Sequence, residues 1–292
     1  MYAPIVIFAF NRPDSLKRMI DSLKQNVLYE ESDKYVYVDG ARNKDDIRSV
    51  KEVIEIAHGI TSNVIVSKDN KGLGESIITG VSAVIHQYGC AIVLEDDLRL
   101  MPGFLSYMNQ ALTAYRDDNR IISICGYGLK IDKPKDYVGD VYLSDRSSSW
   151  GWGTWADRWD SVDWQVKDFE QLKADKKKRR IFNQGGSDLY GMLRDYMEGR
   201  NHSWAIRFCY SQFRQGKFSI HPFLSFVEND GFGEKATNCK QKYSRFKALP
   251  NKNSHIYLPP HLEKRDDILC QLHRYHSIPL RIYSKLRSII NL

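Results

Sequence analysis

The feature that most limits the fold of this 292-residue chain is a regular alternation of strand-like and helix-like segments over about its first 100 residues. Short apolar, β-prone runs are separated by segments in which apolar residues recur every three or four positions, which is helical periodicity. Such an alternation is typical of a parallel sheet with helices on both faces, so the sequence predicts an α/β fold. The predicted strands lie at residues 2–10, 35–38, 64–66 and 90–94, and the predicted helices at 16–23, 47–56 and 72–88.

Polar side chains follow each of these four predicted strands at the point where the strand ends. They are Asn11 with Arg12, Asp39, residues 69–71 and residues 95–97. In open parallel sheets the ligand crevice lies outside the carboxyl ends of the strands. Four polar clusters at one sheet edge therefore indicate a binding site there.

Composition excludes several classes of protein. Hydrophobic residues make up 42% and charged residues 27% of the chain, which is globular and excludes a disordered, collagen-like or coiled-coil chain. The five cysteines form no CxxC pair, so no zinc site or disulfide framework is indicated and a reducing cytosol is favoured. The N-terminus lacks the basic region of a signal peptide, and no 18-residue stretch is free of polar side chains. We therefore expect a cytoplasmic protein without a membrane span.

Positive charge is concentrated at the C-terminal end. The formal net charge is +7, yet residues 235–292 carry 12 Lys or Arg against 3 acidic residues, and residues 1–234 sum to −2. Residues 279–292 alternate cationic and apolar side chains at helical spacing, which suits a helix lying on an anionic membrane surface. A C-terminal helix docked on the domain fits the same pattern. Nucleic acid is not expected as a partner, because aromatic residues do not interleave with these basic ones.

Three carboxylates, Glu95, Asp96 and Asp97, come directly after the fourth predicted strand. Burying them is costly unless they face water or a cation. Adjacent carboxylates at a strand end suit a hard divalent ion, with waters and a phosphate completing its coordination. A solvated turn at the end of the strand explains the same triplet.

Five segments of the chain stand out together: residues 4–13, 39–40, 70–74, 93–98 and 149–155. They occur in the order in which similar segments occur in the GT-A glycosyltransferases, and the chain resembles that family over about residues 3–240. It is most similar to the bacterial family-2-like sugar transferases and more distantly to the N-acetylglucosaminyltransferase I group. The resemblance implies a GT-A fold, a nucleotide-sugar donor and a divalent metal, Mn²⁺ or Mg²⁺.

By this resemblance the donor nucleotide lies beside the first two strands. Asp39 accepts a hydrogen bond from a pyrimidine N–H, which favours UDP, while Asn11 and Arg12 line the same pocket. Lys71 is expected at the diphosphate, and two glycines where the backbone passes close to the donor. The other donor-binding candidates are Phe10, Asn70, Gly72, Gly74, Glu95, Asp96, Trp150 and Trp152. Without the resemblance, the same residues fit a tight turn and helix entries.

The resemblance assigns the metal to Asp97 and Asn238. Asn238 stands where many relatives have a histidine, and an amide oxygen is an acceptable ligand for Mg²⁺. Residues 150–164 contain five of the six tryptophans of the chain. Flat aromatic faces suit sugar rings, so Trp150 and Trp152 are expected to form a wall for the donor sugar and the acceptor.

The general base is missing from the place where the family often carries it. Related transferases have an aspartate just after the tryptophan that is Trp204 here, and this chain has Ala205. A base must reach the acceptor hydroxyl within about 3 Å. Asp157, which follows the tryptophan-rich loop, and His202, which precedes Trp204, are alternative candidates.

The chain is therefore predicted to be a metal-dependent hexosyltransferase. It would move a sugar from a UDP-sugar to a hydroxyl of a glycan or lipid-linked glycan in bacterial surface polysaccharide or O-antigen assembly, at the inner face of the membrane. The expected organisation is a GT-A domain over residues 1–260, with a nucleotide-sugar half (1–100) and an acceptor half (101–260), and a basic helical tail at 261–292. Two alternatives stay open: a catalytically degenerate nucleotide-sugar-binding module and a nucleotidyltransferase.

Overall fold

The structure, a computed structural model, describes residues 2–230, 245–252 and 255–290. Within these ranges eight strands form a central sheet, and two short strands form an antiparallel pair beside it. The strands are β1 (Ile5–Ala9), β2 (Lys34–Val38), β3 (Val64–Val66), β4 (Cys90–Glu95), β5 (Leu98–Leu100), β6 (Ile121–Cys125), β7 (Val141–Ser144), β8 (Trp152–Trp155), β9 (Phe218–Pro222) and β10 (Val227–Asn229).

The central sheet has the strand order β3-β2-β1-β4-β8-β6-β9-β7. The four strands predicted from the sequence lie side by side and run parallel, since β1 pairs with β2 and β4, and β2 pairs with β3. β8 is antiparallel to β4 and β6, β9 is parallel to β6, and β7 is antiparallel to β9. Six of the eight strands thus share one direction, and the predicted α/β fold with a mostly parallel sheet is confirmed.

Helices cover both faces of this sheet. All five residues of β1 are buried, as expected for a parallel strand covered on both sides. The α-helices are α1 (Pro13–Lys24), α2 (Asp46–His58), α3 (Leu73–Tyr88), α4 (Phe104–Ala114), α5 (Ala156–Asp160), α6 (Phe169–Ala174), α7 (Lys176–Phe182), α8 (Leu189–Met197), α9 (Trp204–Arg214), α10 (Asp266–Tyr275) and α11 (Ile278–Ile290). Ile5 and Ile7 pack with residues of α1, α2 and α4, whereas Val6 and Phe8 pack with residues of α3 and α9.

The C-terminal segment packs farther into the fold than its basic composition suggests. Ile268, Leu269, Leu272 and Tyr275 of α10 are buried in one cluster with aromatic residues that follow β6 and β9. The segment 261–292, predicted from the sequence to be a basic helical tail, therefore includes a helix, α10, that belongs to the core. The next helix, α11, has a largely exposed apolar side, with Ile278, Ile282, Tyr283 and Leu286 among its exposed residues.

None of the helices in the described ranges is long and apolar enough to pass through a lipid bilayer.

Candidate active site

A cavity of about 230 Å³ lies at the carboxyl ends of β1, β2 and β4, beside the first turn of α3. We call it the strand-end cavity. It brings together nine of the residues singled out from the sequence, which come from four separate loops. These nine are Phe10, Asn11, Arg12, Asp39, Asn70, Gly72, Glu95, Asp96 and Asp97.

Asp39 holds two strand-end loops together. Its carboxylate accepts hydrogen bonds from the backbone N–H groups of Gly40 (3.0 Å), Lys71 (2.9 Å) and Gly72 (2.9 Å). A carboxylate has about four lone-pair sites, so one site remains on Oδ2, which accepts only the bond from Gly72. Asp39 therefore shapes the cavity and still has one acceptor position for a ligand.

Arg42 borders the strand-end cavity, and the sequence analysis missed it. Its guanidinium lies over the ring of Phe10, with Cζ 4.7 Å from the centroid. Asp46 fixes this position, because it accepts hydrogen bonds from Arg42 Nε (3.2 Å) and from Asn11 Nδ2 (2.6 Å). The only sequence signal for Arg42 is its place three residues after Asp39, in the loop that leaves β2.

Arg12 is the cation that faces the acidic triplet. Its guanidinium donates hydrogen bonds to Asp96 and, over 3.1 Å, to Asp97 Oδ2. Burial raises the pKa of Glu95 to about 8, and the charges of Asp97 and Asp96 add to this rise. Burial also raises the pKa of Asp96 to about 6, although Arg12 opposes the rise. Within the described residues, three acidic side chains thus lie beside the guanidinium of Arg12, and their burial and mutual repulsion disfavour the ionisation of all three at neutral pH.

A divalent ion fits this chemistry, although the protein alone does not supply a full set of ligands. Asp96 is 2% exposed, and its buried Oδ2 has no hydrogen-bond partner in the part of the chain that the structure describes. No three His, Cys, Asp or Glu side chains in the described ranges are grouped as a metal site. Mg²⁺ is commonly bound by one or two carboxylates together with substrate phosphates. The second predicted ligand, Asn238, lies outside the described residues.

A second cavity, of about 280 Å³, lies between the loop before β8 and helices α8 and α9. One wall is aromatic, since Trp150 packs edge-to-face against Tyr127 (4.6 Å) and Phe246 (5.9 Å). Serine hydroxyls from residues 147–149 and Ser203 contribute polar groups. The cavity thus combines an aromatic wall with several hydroxyls, which is the type of surface that sugar rings require.

Two contacts join the second cavity to the strand-end cavity. The first contact runs through β10. At the strand-end cavity, the Asn229 side chain donates a hydrogen bond to Asp97 Oδ1 (3.5 Å). At the second cavity, Val227 of the same strand packs against Gly151, which follows Trp150. In the second contact, the chain just before α9 touches the first turn of α3, because Gly74 lies against the backbone of His202. The two cavities are therefore neighbours at one edge of the sheet.

Comparison with known proteins identifies the family. The family model of Glycosyl transferase family 2 matches residues 5–188, which is more than half of the chain. The chain belongs to glycosyl transferase family 2. A comparison with curated proteins found no match.

Three solved structures resemble this family 2 member at 8–11% sequence identity. GalNAc-T7 with UDP, GalNAc and Mn²⁺ has a TM-score of 0.51 at 10% identity, covering 78% of this chain and 44% of that chain. S. aureus TarS 1-349 has a TM-score of 0.43 at 11% identity, covering 79% and 61%. The mannosyltransferase PcManGT from Pyrobaculum calidifontis, with GDP-Man and Mn²⁺, has a TM-score of 0.36 at 8% identity, covering 54% and 46%. This chain thus spans less than two thirds of each of these structures, and the likeness to GalNAc-T7 supports the GT-A fold alone.

Trp152 and Asp157 do not reach either cavity of this family 2 chain. Trp152 is 1% exposed and stacks between Trp159 (5.8 Å) and Trp204 (4.9 Å), so it packs the core, contrary to our expectation of a sugar-binding wall. Asp157 follows β8, whose end at Trp155 pairs with Cys90 at the start of β4. It is therefore at the opposite sheet edge, and it forms an ion pair with Arg158, so the structure does not support Asp157 as the base.

Gly74, Lys71 and His202 also differ from their expected settings. A Cβ on Gly74 would lie 2.7 Å from the carbonyl oxygen of His202, so this glycine serves helix packing rather than approach of the donor. The Lys71 backbone bonds to Asp39, but its exposed side chain does not line the strand-end cavity. His202 is exposed where α3 meets the chain before α9, and Ala205 lines the second cavity, as does Trp150.

Proposed function

We propose that this family 2 chain transfers a sugar from a nucleoside diphosphate sugar, most specifically a UDP-sugar, to a hydroxyl of a glycan acceptor. The observation that carries the proposal is the strand-end cavity. It has a hydrogen-bond acceptor, Asp39, at one side, and the carboxylates Asp96 and Asp97 with Arg12 at the other. A nucleotide needs both a partner for its base and a partner for its diphosphate, and this cavity has groups of each kind.

The nucleobase is assigned to the side formed by Asp39, Phe10 and Arg42. The free acceptor position on Asp39 suits the N–H of uracil. The flat pair of Phe10 and Arg42 offers a stacking surface for a base. Asn70 borders the same side, and its side chain is fixed by a hydrogen bond to Gly40 O (2.8 Å). These contacts favour a pyrimidine nucleotide.

The diphosphate is assigned to the side formed by Arg12 and Asp97. A guanidinium binds phosphate oxygens well, because its fork of N–H groups matches them. Asp97, with Asn238 as a further proposed ligand, would hold a Mn²⁺ or Mg²⁺ ion together with the phosphates. When bound, such an ion neutralises charge on the departing diphosphate. Glu95 and Asp96 are proposed at the donor sugar and ribose.

The acceptor hydroxyl is proposed to approach from the second cavity, with Trp150 beside the donor sugar. His202 stays as the proposed base, because the neighbouring residues Ser203 and Ala205 line the second cavity and the His202 backbone contacts Gly74 in the first turn of α3. The place in bacterial surface polysaccharide or O-antigen assembly rests on the sequence resemblance alone.

Contact with the inner face of an anionic membrane is proposed through α11. Ile278, Ile282 and Leu286 on this helix are 58%, 54% and 51% exposed. Lys285, which is also exposed, lies in the same helix, so apolar and cationic groups are presented together. This combination binds anionic lipid surfaces and would place the chain near lipid-linked acceptors.

The direct test is stabilisation of the folded chain by UDP with and without Mn²⁺. At a UDP concentration about 100-fold above Kd, binding to the folded state alone adds about 2.7 kcal/mol, or roughly 5 °C in Tm. We expect Mn²⁺ to strengthen this shift in the native chain and to have no effect on it in Asp97→Asn. Asp117→Asn, a change of an exposed aspartate outside both cavities, is the control and should behave like the native chain. If UDP leaves Tm unchanged at millimolar concentration, the proposed donor is wrong.

A second function, nucleotide-sugar binding without transfer, is favoured by one observation. No carboxylate lines the second cavity among the described residues, and Ala205 stands where relatives carry an aspartate. UDP-sugar binding that yields neither hydrolysis nor transfer over a panel of glycan acceptors would support this second function.

A further inference from the structure

Three arginines from separate parts of the chain meet beside the second cavity. Arg146 follows β7, Arg245 precedes α10, and Arg281 lies in the first turns of α11. Arg146 forms a bidentate ion pair with Asp188, in which Nη1 lies 2.8 Å from Oδ1 and Nη2 lies 3.1 Å from Oδ2. The negative charge of Asp188 also attracts Arg245 and favours its protonated form. Two guanidinium groups therefore share one carboxylate, and the third, Arg281, contacts Ser187 next to it.

Arg245 and Arg281 are tied down by neutral partners. Arg245 donates to the backbone oxygen of Tyr275 (2.9 Å) and lies over the ring of Phe246, 4.5 Å from its centroid. Arg281 donates to the hydroxyl of Ser187 (3.1 Å). Neither forms an ion pair with a carboxylate of the described residues. Within the described residues, these two positive charges are thus held in place without an ion-pair partner of their own.

These charges repel one another, so their grouping costs free energy in the free protein. Burial lowers the pKa of Arg245, and the positive charges of Arg146 and Arg281 lower it further. An arginine nevertheless keeps its proton in a protein. Uncompensated, partly buried charges of one sign are costly, and an ion of the opposite sign relieves that cost.

The arginine group is continuous with the lining of the second cavity. Arg146 and Phe246 line the cavity directly, as does His276. Ser187, which binds Arg281, also donates its hydroxyl to His276 O (2.6 Å). Burial lowers the pKa of His276, so this imidazole adds no positive charge near neutral pH. The cavity thus has an aromatic and serine-rich part for a sugar and a cationic part next to it.

We propose that the second cavity binds an acidic acceptor, a sugar that carries a phosphate or carboxylate group. The sugar ring packs against Trp150 and Phe246, and the anionic group lies near Arg245 and Arg281, where it forms charge-assisted hydrogen bonds. The inference deepens the proposed function and rests on it, since it names the class of molecule to which the sugar is transferred.

The test compares three small probes: glucose 6-phosphate, glucuronic acid and glucose. Each is titrated by calorimetry into the full chain saturated with UDP and Mn²⁺, so that the probe's anionic group cannot bind in the strand-end cavity. We expect at least one acidic probe to bind at least tenfold more tightly than glucose, and added salt to weaken that binding. The two acidic probes distinguish a phosphate-bearing from a carboxylate-bearing acceptor.

Two arginine variants locate the binding. Arg281→Gln and Arg245→Gln are each expected to weaken binding of the acidic probe about tenfold, the usual effect of losing one charge-assisted hydrogen bond. Arg281 lies on the half-exposed first turns of α11, so its change leaves the fold intact even if Arg245→Gln lowers Tm. Arg180→Gln, on the exposed side of α7, is the matched control and should bind like the native chain.

The outcomes separate this inference from the proposed function. If UDP binds but the chain does not prefer the acidic probes over glucose, the acidic acceptor is wrong and the donor assignment stands. The same conclusion follows if both arginine variants keep the preference for the acidic probe. Failure of UDP to bind in the first step overturns the proposed function instead.

Discussion

At the scale of single residues, Asp39 shows how one side chain can serve both fold and site. Its three bonds to backbone N–H groups join the loop after β2 to the loop before α3. In Asp39→Asn, one oxygen becomes an NH₂ group that faces N–H donors. We expect a loss of about 1–3 kcal/mol in the free energy of unfolding, measured by urea denaturation, and weaker UDP binding.

The control for this change is Asp69→Asn, an exposed residue in the second of the two loops. It should leave both the free energy of unfolding and UDP binding unchanged. Equal behaviour of the two variants would mean that Asp39 does not organise the cavity.

Two glycines within helices give opposite predictions for the same substitution. Gly74→Ala places a methyl group 2.7 Å from the carbonyl oxygen of His202, and overpacking against backbone costs about 1–3 kcal/mol. Gly191 in α8 has nothing within 4 Å of a built Cβ, so Gly191→Ala should stabilise the chain by about 0.4–1 kcal/mol. Thermal unfolding of both variants checks the pair, and a rise in Tm for Gly74→Ala would contradict the close contact between α3 and the chain before α9.

At the scale of elements, α11 is the helix whose role its packing does not explain. We expect the full chain to sediment with vesicles of phosphatidylglycerol and phosphatidylcholine but not with phosphatidylcholine alone. The double change Ile282→Ser with Leu286→Ser should weaken the affinity for the phosphatidylglycerol vesicles at least tenfold, because two apolar side chains that would enter the lipid are lost.

The matched control for α11 is Ile47→Ser, which removes a side chain of α2 that is 56% exposed. If Ile47→Ser reduces vesicle binding as strongly as the α11 change does, the binding comes from non-specific hydrophobic adsorption and not from α11. Absence of sedimentation with either kind of vesicle would disprove the membrane contact.

At the scale of the whole molecule, α10 and α11 are expected to differ sharply in importance. A chain ending at Ser277 loses only α11 and should melt within a few degrees of the full chain. A chain ending at Pro260 also loses four buried apolar side chains of α10. At about 1.5–3 kcal/mol each, this loss approaches the entire stability of a typical domain.

Circular dichroism melts of the two shortened chains and the full chain test this contrast. The chain ending at Pro260 should show no cooperative transition near that of the full chain. A cooperative melt at the same temperature would mean that the core is complete without α10.

Much of the lining of the strand-end cavity could be predicted from the sequence. Parallel strands end at one sheet edge, so the residues directly after β1, β2 and β4 had to meet there once the alternation was recognised. Nine candidates line the strand-end cavity for this reason. Arg42 was missed because only its contacts with Phe10 and Asp46, which come from other elements, bring it to the cavity.

Other residues could not be placed without the tertiary structure. Trp150 and Trp152 share one motif, yet Trp150 lines a cavity while Trp152 is buried. The reason is that β8 begins only at Trp152, and the left-handed backbone of Gly151 (φ +59°) turns the chain between the two side chains. Asp157 follows the tryptophan loop closely in sequence, but the reversed direction of β8 carries it to the far edge of the sheet.

What the sequence by itself determined is the α/β alternation and the chemistry at the ends of its parallel strands, since both depend on local periodicity and on a rule of chain direction. Only the tertiary structure decided that α10 belongs to the core, that Gly74 is a packing position, and that Arg146, Arg245 and Arg281 meet. The physical reason is that these facts depend on contacts between segments far apart in the chain, and no spacing within one segment records such contacts.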